Sequence, residues 1–350
     1  MGHSAHKQCD TQIEMNNIKL KIDIHYDREN PYQIDVYLRH QEIFKKKGIL
    51  CRFYANCFPS LQSNADIFVA QADFLGPNPE RLRRPIVIEE REDSAMPIAR
   101  DIAAIPYVVR FFKVAVVGEH LINLRADRAH LWVLDREASE ARCQKQRTLT
   151  ESESAKIKPG IHFGLFKHMQ PWVDRAARRT GKDQWNNRPI DALFIGTTEY
   201  GLPTLSAHRQ RFNQAMVEIR GLNIVCIPSR LMHKDSYFTL SQNAKIIVSP
   251  WGHGELCFRD FESWLDDCVL VKPRTDFIRT LDNILTTGET YEPCRADARD
   301  LERTLRSILA NPIYQAPELR RRNREKLLSW WSPEKLVDWW CADIKSAVRL

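Results

Sequence analysis

Residues 246–273 read IIVSPWGHGELCFRDFESWLDDCVLVKP, and their pattern decides the fold. Ile246-Ile247-Val248 is an apolar run that suits the end of a buried strand. Ser249-Pro250-Trp251-Gly252-His253-Gly254 follows as a loop, whose two glycines permit unusual backbone angles or close approach of a ligand. A helix is expected from about Glu255 to Asp267, because Phe258, Phe261 and Leu265 recur at core-facing spacing. Cys268-Val269-Leu270-Val271 then forms a second strand, ending at Lys272-Pro273. Strand, glycine loop, helix and strand make a βαβ unit, and its loop lies where such units bind ligands.

Along that helix Glu255, Arg259, Glu262 and Asp266 fall on one stripe. A solvated face of helical ion pairs, each contributing about 0.3–0.5 kcal/mol, accounts for the stripe as well as a site does. Two features favour a site. Glu255 and Arg259 stand at the helix N-terminus beside the glycines, where free backbone N–H groups attract phosphate. Both glycines also lie in the strand-to-helix turn.

Working upstream, Ile190–Ile195 is a strand running into Gly196-Thr197-Thr198, followed by a helix over about Leu205–Arg220 that Gly221 stops. A strand at Asn223–Ile227 and a helix at Ser236–Asn243 complete a strand–helix alternation that predicts a parallel, doubly wound sheet. Downstream the chain is helical over Ala298–Ala310, Pro317–Ser329 and Pro333–Val348, with Trp330, Trp331, Trp339 and Trp340 expected to lock this tail across the molecule. Short β-rich runs at Ile18–Ile24, Gly48–Phe53, Asp66–Ala70, Pro85–Glu89 and Tyr107–Phe112 point to a second α/β layer structure. The polar segment from Arg136 to Pro159 reads as a surface excursion near the junction. The expected domains are 1–160 and 161–350.

A chain of 350 residues suits two domains or one large α/β unit. No apolar run is long enough to span a membrane, and the start, MGHSAHKQCD, has no apolar signal segment, so a cytoplasmic protein is expected. Nine cysteines without a CxxC pair or a regular framework argue against disulfides and structural zinc. The net charge of +7 permits attraction to phosphorylated ligands, anionic lipid or nucleic acid without choosing among them. No finger motif or aromatic–basic interleaving points to a nucleic-acid partner. Neither GxxxxGK[ST] nor GxGxxG occurs, which disfavours a Walker-type ATPase and a nicotinamide site.

The run SPWGHGELCFRDFESWLDDCVLVKP resembles the donor-binding segment of GT-B glycosyltransferases, particularly the exostosin-like and capsular-polysaccharide type. The likeness extends over about residues 188–350. It implies an α/β fold of two Rossmann-like domains, with a cleft between them and a helical C-terminal tail. It further implies a nucleotide-sugar donor, a glycan or lipid-linked acceptor, and no metal or other cofactor. Glu262 would then accept hydrogen bonds from ribose hydroxyls, and Arg259 would face the diphosphate or a sugar carboxylate, a role suited to its fixed donor fork. Ser249, Trp251, the Gly252-His253-Gly254 backbone, Glu255 and Asp260 would lie close to the donor, as would Gly196, Thr197 and Arg209 in the preceding unit. Lys272 would reach a phosphate or form a strand-end ion pair. Glu255 and Glu262 stand one position closer than the glutamate pair typical of the family, which argues against importing a retaining mechanism.

An inverting reaction needs a general base facing the cleft. Glu89, Glu90 and Asp93, at or just after the Pro85–Glu89 strand, are candidates beside His253 and Glu255. The basic helix at Arg320–Arg324 could touch anionic lipid at the inner face of a membrane, or form a solvated face. Two other functions remain open: nucleotide-sugar epimerisation or hydrolysis on the same fold, and a non-catalytic nucleotide- or nucleic-acid-binding module.

Overall fold

The computed structural model describes residues 19–60, 62–76, 79–82, 84–89, 101–117, 134, 148–179, 185–228 and 232–349. The N-terminal half supplies strands β1 (Leu20–Tyr26), β2 (Ile49–Ala55), β3 (Ile67–Gln71), β4 (Ile86–Glu89), β5 (Arg110–Lys113), β6 (Val116–Val117) and β7 (Ile157–Pro159). All but β6 form one sheet in the order β2-β1-β3-β4-β5-β7, with every neighbouring pair parallel. Its strands are near-continuous apolar runs, as a parallel sheet covered on both faces requires: Ile22, Ile24, Val69, Val87 and Phe111 have no solvent exposure.

The C-terminal half repeats the plan with β8 (Ile190–Ile195), β9 (Ile224–Ile227), β10 (Ala244–Val248), β11 (Val269–Pro273), β12 (Ile278–Arg279) and β13 (Glu292–Cys294). Its sheet, without β12, has the order β13-β11-β10-β8-β9 and is again parallel throughout. The structure thus has the α/β architecture of two Rossmann-like units. The helices used below are α1 (Gln170–Ala177), α2 (Pro203–Glu218), α3 (Lys234–Gln242), α4 (Phe258–Leu265), α5 (Leu301–Ala310), α6 (Pro317–Ser329) and α7 (Pro333–Arg349).

Two connections set the halves against each other. β6, just past the end of β5, pairs antiparallel with β12, just past the end of β11, in the register Ile278↔Val117 and Arg279↔Val116. The carboxyl ends of both sheets are therefore drawn to one seam, the position where open α/β sheets collect ligands. Helix α7 then returns to the first sheet. The Trp340 ring lies 4.8 Å from Tyr37 and 4.6 Å from Phe112, and Arg110 pairs with Asp343 at 3.4 Å. Trp331 donates its indole N–H to the Gly164 carbonyl at 2.9 Å. The tail tryptophans are packing groups.

The expected surface excursion needs correction over its last ten residues. Thr150 and Glu153 form a capping box that starts a short helix at Glu151–Lys156, and β7 follows it directly. Three residues are too few to show a period. The strand survives at the sheet edge, where Pro159 leaves no ladder partner without an N–H. Residues 136–147 lie outside the described residues.

Candidate functional site

Helix α4 begins at Phe258 rather than Glu255, for a local reason. The Asp260 carboxylate turns back and accepts the Cys257 backbone N–H at 2.9 Å, which caps the first turn. Ser249 donates its hydroxyl to the same carboxylate at 2.6 Å, and Lys272 Nζ lies 3.1 Å from it. Ser249, Asp260 and Lys272 are all completely buried. They tie the ends of β10 and β11 to the start of α4 from beneath. These side chains hold the turn and are not placed to touch a ligand, because each already meets the others in the core.

The expected stripe also divides. Glu255 is fully buried in the turn that precedes the helix. Asp266, at the helix end, accepts Arg175 at 2.5 Å and the Ser241 hydroxyl at 2.5 Å, while Arg179 stands 3.6 Å away. That cluster fastens α4 to α1 and α3. Arg259 and Glu262 remain, set against each other beside Tyr237.

The glycines change rank as well. Neither Gly252 nor Gly254 has positive φ, and a Cβ on Gly252 would meet only the Tyr200 hydroxyl at 3.5 Å and Cys257 Sγ at 3.6 Å. Gly196, at the end of β8, is the position that demands glycine. Its φ is +150°, and a Cβ there would stand 2.7 Å from Arg209 Nη2 and 3.1 and 3.3 Å from the two Arg259 Nη atoms. Two guanidinium groups therefore converge above one bare Cα.

Arg209, on α2, is 2 % exposed, and its contacts explain its orientation. Its Nε donates to the Thr197 carbonyl at 2.6 Å, and its Nη1 to the carbonyls of Pro250 at 3.0 Å and Trp251 at 3.1 Å. The side chain staples the β8 turn to the β10 turn through neutral acceptors. Burial pulls its pKa down, and neighbouring Arg259 adds to that effect. For Arg259 burial works in the same direction, but Tyr237 and Glu262 beside it hold its pKa up. Its guanidinium lies 5.9 Å over the Tyr237 ring, and its buried Nε has no hydrogen-bond partner among the described residues. Burial pushes the Glu262 carboxyl up, with Arg259 drawing part of that shift back.

The remaining expected residues divide between wall and rim. Thr197 bonds within its own turn, donating to the Glu199 carbonyl at 3.1 Å and accepting the Glu199 N–H at 3.2 Å. Trp251 is 1 % exposed, stacks on His208 at 5.4 Å and donates to Thr275 at 3.1 Å, so it is a wall rather than a stacking platform. His253 is exposed at the turn and meets Tyr200 edge-on at 4.8 Å. Glu90 and Asp93 lie outside the described residues. Glu89 is fully buried in an ion pair with Lys113, so it is a poor base. Tyr200 and Tyr237 carry no sequence motif; Tyr200 sits in the turn before α2, tied to Ser206 at 2.8 Å, and Tyr237 lies on α3.

The basic helix of the tail is partly internal. Arg320 is 2 % exposed, donates to the Ala316 carbonyl at 3.0 Å and lies 4.5 Å over Trp185, while Arg324 pairs with Asp267. Among the described residues no helix is long and apolar enough to cross a membrane.

No family model matches the sequence, and no curated protein does. Solved structures similar to the chain include an α1,3-fucosyltransferase with GDP-fucose, at 11 % identity over 89 % of this chain and 87 % of that one, with a TM-score of 0.42. A UDP-GlcNAc 2-epimerase from Neisseria meningitidis bound to UDP-GlcNAc is 9 % identical over 91 % and 98 %, with a TM-score of 0.38. WaaG, a glycosyltransferase involved in lipopolysaccharide biosynthesis, is 11 % identical over 91 % and 98 %, with a TM-score of 0.36. These likenesses are distant.

Proposed function

We propose that the chain is a GT-B-type glycosyltransferase that moves a sugar from a nucleotide-activated donor to a glycan or lipid-linked acceptor. The observation that carries this is the convergence of Arg209 and Arg259 on Gly196, at the carboxyl end of a parallel strand. Arg209 donates its Nε and Nη1 to neutral carbonyls, while Glu262 beside Arg259 offsets part of the positive charge there. A diphosphate suits such a place: it needs charge-assisted donors and close approach to the backbone, which Gly196 permits.

In this mechanism Arg259 and Arg209 hold the diphosphate, Glu262 accepts the ribose hydroxyls, and the Gly252-His253-Gly254 turn lies against the sugar. The bond between the anomeric carbon and the phosphate oxygen breaks as the acceptor oxygen attacks. The acceptor proton passes to a general base, for which Glu90, Asp93 and His253 are the sequence candidates. The electron pair goes to the leaving diphosphate, where two fixed guanidiniums stabilise it without a metal.

Isothermal calorimetry with UDP, GDP, ADP and CMP tests the assignment. Arg259→Ala and Glu262→Ala should each weaken the preferred nucleotide by roughly tenfold or more, the loss expected for a charge-assisted hydrogen bond. Each variant removes one partner of a buried pair, so urea denaturation is run beside calorimetry to show that both remain folded. Unchanged affinity in both variants would overturn the site. Free sugar or an epimer released without acceptor would replace transfer by hydrolysis or epimerisation.

A further inference from the structure

A cavity of about 680 Å³ opens at the carboxyl ends of β11 and β13. Its size falls in the range of small-molecule sites. It lies at the seam between the halves, since Leu134 of the N-terminal half lines it together with Phe277, beside β12. Trp251 and Phe277, edge to face at 5.7 Å, form its apolar back wall.

Its charge differs in kind from the place above Gly196. Three arginines and three aspartates line the cavity, so the two signs balance. Arg295 and Asp297 are joined fork to fork, Nε to Oδ1 at 2.9 Å and Nη2 to Oδ2 at 2.8 Å. Arg274 and Asp276 pair at 3.0 Å. The supporting turns are held from behind. Asp300 accepts the Arg295 N–H at 2.8 Å, and the Tyr291 hydroxyl accepts the Thr275 N–H at 2.8 Å. Guanidinium and carboxylate groups side by side supply donors and acceptors in alternation. An anion would meet as many carboxylates as guanidiniums there. A neutral polyol, in which every hydroxyl both donates and accepts, satisfies both.

We infer that this cavity is a subsite for a neutral saccharide, positioned to take part of the acceptor on the C-terminal side of the cleft. The acceptor role rests on the glycosyltransferase assignment above; saccharide binding itself does not.

The test is saturation-transfer NMR and calorimetry on the full chain with lactose, cellobiose, maltotriose and chitobiose, and with sialyllactose as an anionic comparison. At least one neutral sugar should bind. Asp297→Ala and Arg274→Ala should each weaken it roughly tenfold or more, with nucleotide affinity unchanged. Asp276→Asn, on a more exposed pair, serves as a second variant should Asp297→Ala unfold. Arg259→Ala should show the opposite pattern, losing nucleotide and keeping saccharide, so failure of the donor site and failure of this subsite are told apart. No binding of any neutral sugar, binding of the anionic sugar alone, or equal affinity in wild type and all cavity variants would each overturn the inference.

Discussion

Adding one methyl group at Gly196 is the sharpest probe of the proposed donor site. In Gly196→Ala the new Cβ would stand 2.7 Å from Arg209 Nη2 and 3.1 Å from Arg259 Nη1, inside normal contact. A free arginine end would swing away at little cost. Arg209 cannot do so easily, because three carbonyls hold its Nε and Nη1. The backbone also sits at φ +150°, where an L side chain is strained by about 1–3 kcal/mol. Urea denaturation should therefore show a loss of about 1–3 kcal/mol, tolerable for a chain of this size. Nucleotide affinity should fall much further than that strain requires, by more than about tenfold, because both guanidiniums are displaced together. Gly252→Ala is the matched control. Its Cβ meets nothing closer than 3.5 Å, and stability should stay within about 0.5 kcal/mol of wild type. Calorimetry on the two variants decides: wild-type nucleotide affinity in Gly196→Ala would refute the placement of the diphosphate above Gly196.

Three further outcomes are expected. Lys272→Ala leaves the buried Asp260 carboxylate without its cation and should cost about 3–5 kcal/mol in urea denaturation; a loss below about 1 kcal/mol would mean the pair is not a structural tie. His162 is fully buried, stacked 4.7 Å from Phe261, and burial pulls its pKa down to about 3. The unfolded chain binds that proton near pH 6.5 and the folded chain does not. The stability is therefore present above pH 6.5 and is lost as pH falls towards 3, by at most about 1.4 kcal/mol per pH unit. Between pH 7 and pH 5, wild type should lose about 2 kcal/mol more than His162→Phe, and equal losses would contradict this. Trp340→Ala removes the ring that seats α7 on Tyr37 and Phe112 and should cost about 3–5 kcal/mol; a melting temperature unchanged from wild type would show that the return of the tail is not stabilising.

Much of the fold was legible because parallel strands buried on both faces must be apolar runs, and Ile190–Ile195 or Val269–Val271 can hardly be anything else. Strands β6, β12 and β13 could not be read, because two or three residues have no period and form only when a partner is already in place. The site was legible in part. Arg259 and Glu262 stood out by spacing beside a glycine turn, but the same spacing selected Asp266, which tertiary contacts turn into an anchor for α1 and α3.

Local sequence determined the βαβ unit of residues 246–273, its turn and its helix, since period and glycine placement act within a few residues. What only the tertiary structure decided is which of its polar groups stay available. Ser249, Asp260 and Lys272 face one another and are used up in the core. Arg259 meets Arg209 across the end of β8, more than forty positions away in the chain, above a glycine of a different turn. Burial and convergence of this kind depend on how separate helices pack, and a pattern read along one segment does not contain them.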